Sequence, residues 1–128
     1  MSHFSQIKTQ IRNLDSLKSA LSDLGMDWKA GPSDVRGYQG LTHNADVVIE
    51  QQNGYDIGFA WNGKEYALVT DLQFWQQNGS VDRFLKQVTQ RYAYHTILNE
   101  GNRQGFQVAE QQRQEDGSLR LVLQRWGS

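Results

Sequence analysis

Two Asn-Gly dipeptides, Asn53-Gly54 and Asn62-Gly63, lie between short apolar runs and restrict the fold more than any other feature of the chain. Asn-Gly favours a tight hairpin turn because its two positions need positive φ, which asparagine and glycine adopt at least cost. With two-residue loops at both sites, residues 46–71 form a three-stranded antiparallel meander. The implied register pairs Trp61 with Lys64, Phe59 with Tyr66 and Ile57 with Leu68, so these six residues share one face. Extended through the first hairpin, the register sets Val48 opposite Phe59. The other face then carries Val47, Ile49, Gly58, Ala60, Ala67 and Val69, which are apolar but small. A ribbon that is apolar on both sides must be covered twice, by helices, by a partner or by a second copy.

Helical periodicity flanks this meander. Leu14, Leu17, Leu21 and Leu24 recur at helical spacing, with Asn13 as N-cap and Gly25 at the left-handed position after the end. A second helix follows Gly79, with Ser80 as N-cap and an apolar stripe of Val81, Phe84, Leu85, Val88, Tyr92 and His95. Arg83, Lys86 and Gln90 fall opposite, as solvated positions, and Gly101 and Gly105 bound its end. A strand is expected over residues 3–11, where Ile7, Thr9 and Ile11 alternate with polar residues. Asp116-Gly117 marks a last hairpin between residues 106–115 and 118–126. The only proline, Pro32, lies in Ala30-Gly31-Pro32-Ser33-Asp34, which reads as a turn-rich connection. The expected class is α+β, a mainly antiparallel sheet with two long helices. The expected order is β-α-(β)-β-β-β-α-β-β, within a single domain over residues 1–128.

The chemistry that the sequence offers is sparse. With no cysteine, the 128-residue chain has no disulfide, thiol nucleophile or Cys-ligated metal. His3, His43 and His95 show no metal-ligand spacing, so neither a metal nor a cofactor is expected. No phosphate-cradling glycine motif and no nucleophile elbow is present. A formal net charge of -1 makes nucleic acid an improbable partner in bulk. No apolar window is long enough to span a bilayer, and the N-terminus lacks a signal-peptide pattern. Together with the missing cysteines, this predicts a cytoplasmic or plastid-stromal protein.

Met1-Ser2-His3-Phe4-Ser5-Gln6-Ile7-Lys8-Thr9, Asp23-Leu24-Gly25, Gln90-Arg91-Tyr92-Ala93-Tyr94-His95 and the segment from Asp116 to Leu123 carry a resemblance. Together they resemble the hypothetical chloroplast reading frame 35 family, a domain of unknown function in cyanobacteria and algal plastids. The resemblance spans nearly the whole chain. It implies a cyanobacterial or plastid setting and assigns no reaction, so no catalytic residue is carried over. Bacterial relatives lie beside AAA-type ATPase genes, so the resemblance implies an accessory role with such an ATPase as the candidate protein partner. The pairs Gln51-Gln52, Gln76-Gln77 and Gln111-Gln112 fall outside the family pattern and read as surface positions.

Three functions follow as expectations. The first is a non-catalytic accessory or assembly protein that binds another protein or its own copy. Its binding residues are Phe59, Trp61, Tyr66 and Trp75. The second is a nucleic-acid-binding domain using that aromatic face, with Lys64, Arg113, Arg120 and Arg125 nearby. The third is a small hydrolase or isomerase centred on a polar site of Tyr92, Tyr94 and His95, since histidine suits proton transfer near neutrality. The missing motifs argue against an enzyme.

Overall fold

In a computed structural model of the chain, which describes residues 3–116 and 118–126, two helices and seven strands build an α+β molecule. Strand β1 spans Ser5–Ile7, α1 Leu14–Asp23, β2 Trp28–Arg36, β3 Thr42–Ile49, β4 Ile57–Trp61, and β5 Tyr66–Thr70. Helix α2 spans Val81–Arg103, and β6 (Phe106–Arg113) and β7 (Leu119–Arg125) follow it. The first five strands form one antiparallel sheet in the order β1-β5-β4-β3-β2, and β6 and β7 pair apart from it.

Local signals set the helix ends as the sequence predicts. Asn13 Oδ1 accepts from Ser16 N at 2.9 Å, and Ser80 Oγ accepts from Arg83 N at 3.1 Å. Gly25 adopts φ 73°, which lets Met26 N donate to Leu21 O and Gly25 N to Ser22 O, closing α1 in a Schellman motif. Helix α2 runs through Gly101 and stops at Arg103, with Gly105 rather than Gly101 as its left-handed terminator. The first strand, expected over residues 3–11, is shorter at Ser5–Ile7. Thr9 Oγ1 accepts Ile11 N and donates to Tyr66 O, replacing ladder bonds beyond Ile7.

Both meander registers differ from expectation, for a reason visible in the turns. Asn62 Oδ1 accepts the amides of Lys64 and Glu65, so the turn occupies residues 62–65 and Trp61 pairs with Tyr66, Phe59 with Leu68, and Ile57 with Thr70. This slip of two residues leaves the faces unchanged. The first hairpin closes through residues 50–56, and Val47 pairs with Phe59 while Val48 pairs with Gly58. That one-residue slip exchanges faces: Val47 and Ile49 join the Phe59 side, and Val48 joins Gly58. Gln51, expected at the surface, is buried in this loop. Its amide nitrogen donates to Tyr55 O and Phe74 O, and its oxygen accepts from Gln76 N and Gln77 Nε2. The Pro32 segment, expected as a connection, lies inside β2 at a bulge between Ala30 and Ser33.

The sheet is sealed on both faces. Helices α1 and α2 cover one, where Ile11, Leu17, Leu21, Val47, Ile49, Ile57, Phe59, Leu68, Phe84 and Val88 form the main core. The outer half of the β2–β3 hairpin folds back over the other, setting Val35 and Ala45 against Gly58 and burying Val48. Phe4, beside edge strand β1, lies against Gly37 at the end of the opposite edge strand β2, so the sheet curls nearly closed. The Arg36 guanidinium donates to both oxygens of the buried Asp56, and Arg36 N donates to Asp56 Oδ2, fixing that fold-back. Among the described residues no helix is long and apolar enough to cross a membrane.

Candidate functional site

The residues expected on an aromatic binding face stay together but differ in burial: Phe59, Tyr66 and Trp75 belong to one core cluster, and Trp61 touches Tyr66. Phe59 is fully buried beneath the helices, its ring 6.5 Å from that of Phe84. Tyr66 is half-buried against the same core, and its phenol is pushed up, chiefly by burial and then by the charges of Asp46 and Asp15. Trp75 packs edge-on against Phe84 and donates from Nε1 to Gly79 O at 3.0 Å. Trp61 is the most exposed member of the set, at 48% exposure, with its ring 5.0 Å from Tyr66. The covering that the meander needs therefore comes from the chain itself. The basic residues of the nucleic-acid reading also divide: Lys64 sits in the β4–β5 turn, Arg113, Arg120 and Arg125 in the separate hairpin. Arg125 lies over the Phe106 ring at 4.8 Å.

Of Tyr92, Tyr94 and His95, the structure brings two together, the Tyr94 and His95 rings meeting edge-on at 5.1 Å, while Tyr92 is engaged elsewhere. Tyr92 Oη accepts from Arg12 N and Asn13 N, each at 3.1 Å, and so ties α2 to the start of α1. His95 Nε2 meets Asp23 Oδ2 at 2.6 Å, at the last residue of α1. Arg91 Nε donates to the same oxygen at 2.9 Å, its guanidinium lies 4.5 Å from the Tyr94 ring, and Tyr94 Oη accepts from Gln111 Nε2 of β6. Asp23 is thus a junction that holds α1, α2 and, through Tyr94, the hairpin.

Burial alone would raise the Asp23 pKa, but the hydrogen bonds and charges of Arg91 and His95 outweigh it and hold the carboxyl below the usual range. A depressed folded-state pKa stabilises above the unfolded value, near 3.9, and loses that stabilisation as pH falls through the folded value. Asp23→Asn is expected to melt below the wild type at pH 6–7, with the difference shrinking below about pH 4. Thermal melts from pH 3 to 7 check this, and a pH-independent difference would remove the ionised Asp23 from the account.

The surface with most potential for contact lies on α2 and the β6–β7 hairpin, which the sequence does not mark as a site. Gln90, Tyr94, Ile97 and Gly101 recur on α2 at i, i+4, i+7 and i+11, a stripe distinct from the one facing the sheet. The hairpin lies on this stripe, through Leu119, Leu121 and Leu123. Its turn places Ser118 N and Oγ on Asp116 Oδ1; Gly117 is outside the described residues. Beside the contact runs an apolar groove of about 320 Å³, lined by Ile97, Gly101, Phe106 and Leu123 with Glu100 and Gln104 at its edge. Ile97, Val122, Leu123 and Trp126 are all exposed large hydrophobics of this unit. A periodic Ile97, Gly101 pair on a polar helix was the signal available in the sequence, and it is a weak one.

Comparison with known proteins adds a family. That described as protein of unknown function (DUF1257) matches residues 20–122. The chain is similar to the uncharacterized protein ycf35 of Guillardia theta, 52% identical over 126 residues that cover 98% of each chain. It is likewise similar to the uncharacterized protein ycf35 of Pyropia yezoensis and of Cyanophora paradoxa, each 44% identical over 126 residues with 98% of each chain covered. These relatives are proteins of algal plastids. No solved structure matches.

Proposed function

Because this chain belongs to the DUF1257 family of proteins of unknown function, we propose on the strength of its surface that it is a non-catalytic accessory protein. It acts by binding another protein in a cyanobacterial or plastid setting, in the cytoplasm or stroma. The observation that carries this reading is an apolar groove lined by Phe106 and by the exposed Ile97 and Leu123, with two more exposed apolar side chains, Val122 and Trp126, elsewhere on the same unit. Isolated surface hydrophobics are ordinary, whereas clustered ones mark interaction sites. The hairpin adds a second means of attachment. A two-stranded ribbon leaves both outer edges without strand partners in the main sheet, so a partner's extended segment can add to it. The partner that fits is a protein segment presenting an aliphatic or aromatic side chain to the groove and an extended backbone to the edge. An AAA-type ATPase is the partner class to test first.

Size-exclusion chromatography with light scattering, with and without a cyanobacterial extract, tests the reading. The expected result is a stoichiometric complex that Ile97→Asp and Leu123→Asp each weaken at least tenfold, about 1.4 kcal/mol or more. Trp61→Ala should leave it intact. A monomer that acquires no stoichiometric partner would overturn the reading, as would a complex lost with Trp61→Ala and kept by the groove variants.

A further inference from the structure

We propose that the cleft between α2 and the tip of the β6–β7 hairpin is a binding site for a small phosphate-bearing ligand. The cleft has a volume of about 340 Å³ and lies on a different part of the α2–hairpin unit from the apolar groove. That volume falls at the lower end of small-molecule sites, roughly 300–1,000 Å³. Four cations line it: Arg83, Lys86 and Arg91 from α2 and Arg113 from β6. One carboxylate, Asp116, joins them, and the amides of Gln87 and Gln90 complete the polar wall.

Two features separate this cluster from an ordinary solvated helix face. Among the described residues no carboxylate lies within 4.0 Å of Arg83, Lys86 or Arg113, although the whole chain carries a net charge of -1. And Arg113 arrives from a separate element, so the packing of the hairpin, not helical spacing alone, draws the charges together. Like charges held at one cleft repel, and a doubly charged oxyanion between them turns that repulsion into attraction. Guanidinium forks match phosphate oxygens in pairs, and amide N–H groups supply further donors. Arg91 is oriented before any ligand arrives, held by Asp23 and lying against Tyr94. Asp116, whose carboxylate is engaged by Ser118 and feels the charge of Lys86, offsets part of the positive charge and leaves the cleft net cationic.

Inorganic pyrophosphate is the probe, compared with sodium chloride at matched ionic strength, read by thermal shift and by calorimetric titration. The wild type should show a saturable rise in Tm with pyrophosphate and not with chloride. The triple variant Arg83→Gln, Lys86→Gln, Arg113→Gln should lose at least tenfold in affinity while melting no lower than the wild type without ligand, because its repulsion is relieved. The single variant Arg113→Gln should fall between the two, and a Lys64→Gln, Arg120→Gln control should bind like the wild type. Equal responses to pyrophosphate and chloride, or an undiminished response in the triple variant, would overturn the proposal. So would tight binding of single-stranded RNA that pyrophosphate does not displace. Each readout is independent of any protein partner.

Discussion

Replacing Phe59 with alanine is expected to destabilise the protein by about 3–5 kcal/mol, the range for deleting a fully buried aromatic ring. The ring lies at 0% exposure between Val47, Leu68 and the helices, with Phe84 beside it, and the ridge of α2 above cannot sink far enough to refill the space. Trp61→Ala, two residues along the same face, should cost only about 1 kcal/mol, mostly the lost ring contact with Tyr66. Urea denaturation of both variants separates the two positions. A Phe59→Ala protein of near wild-type stability would mean that this ring is available to a ligand after all, and the aromatic-platform reading would return.

Gly31→Ala should be nearly as damaging, about 3 kcal/mol, although it adds a single methyl group. A Cβ at this position would run into the carbonyl oxygen of Ala45 and stand 2.8 Å from the Cα of Asp46. Both obstacles are backbone of the neighbouring strand, so no side chain can swing aside to make room. The strain falls on the bulge that bends β2 and lets its outer half fold over the second face of the sheet. Gly58→Ala tests the same closure from the opposite side, since its Cβ would press on Val35 and Ala45. Its cost should be about 1–3 kcal/mol, because Val35 is fully buried and the Ala45 Cβ moves only with its backbone, so neither gives way freely. If both glycine variants melt like the wild type, the hairpin does not lie folded back, and the second face of the meander is open to a partner.

These two results bear on what could be read in the chain itself. Caps and turn glycines act within a few residues, so Asn13, Ser80 and Gly25 announce the helix ends correctly. Register depends on how a turn spends its side chains. Asn62 uses its carboxamide on two amides, and Gln51 turns inward to clamp residues 55 and 74–77, so neither Asn-Gly pair makes a two-residue loop. The bracketed strand of the expected order proves to be β2, hidden because a Gly-Pro pair resembles a connection. The sealing of the second face was illegible for a different reason. It rests on approaches between Gly31 and Ala45, Gly37 and Phe4, and Gly58 and Val35, and sequence spacing carries no record of them. The contact surface was equally hidden, because Ile97 and Gly101 gain their meaning only when the hairpin is laid beside them. In the same way, Arg83 and Lys86 read as solvated positions until Arg113 is brought across from β6.

The division of labour between a closed sheet and an exposed C-terminal unit is open to one direct measurement, hydrogen–deuterium exchange of the protein alone and in its complex. Protection on binding should concentrate in residues 96–108 and 119–126, with strands β4 and β5 already slow to exchange in the free protein and unchanged by the partner. Fast exchange across residues 57–70 in the free protein, followed by protection there and not in the hairpin, would contradict the account.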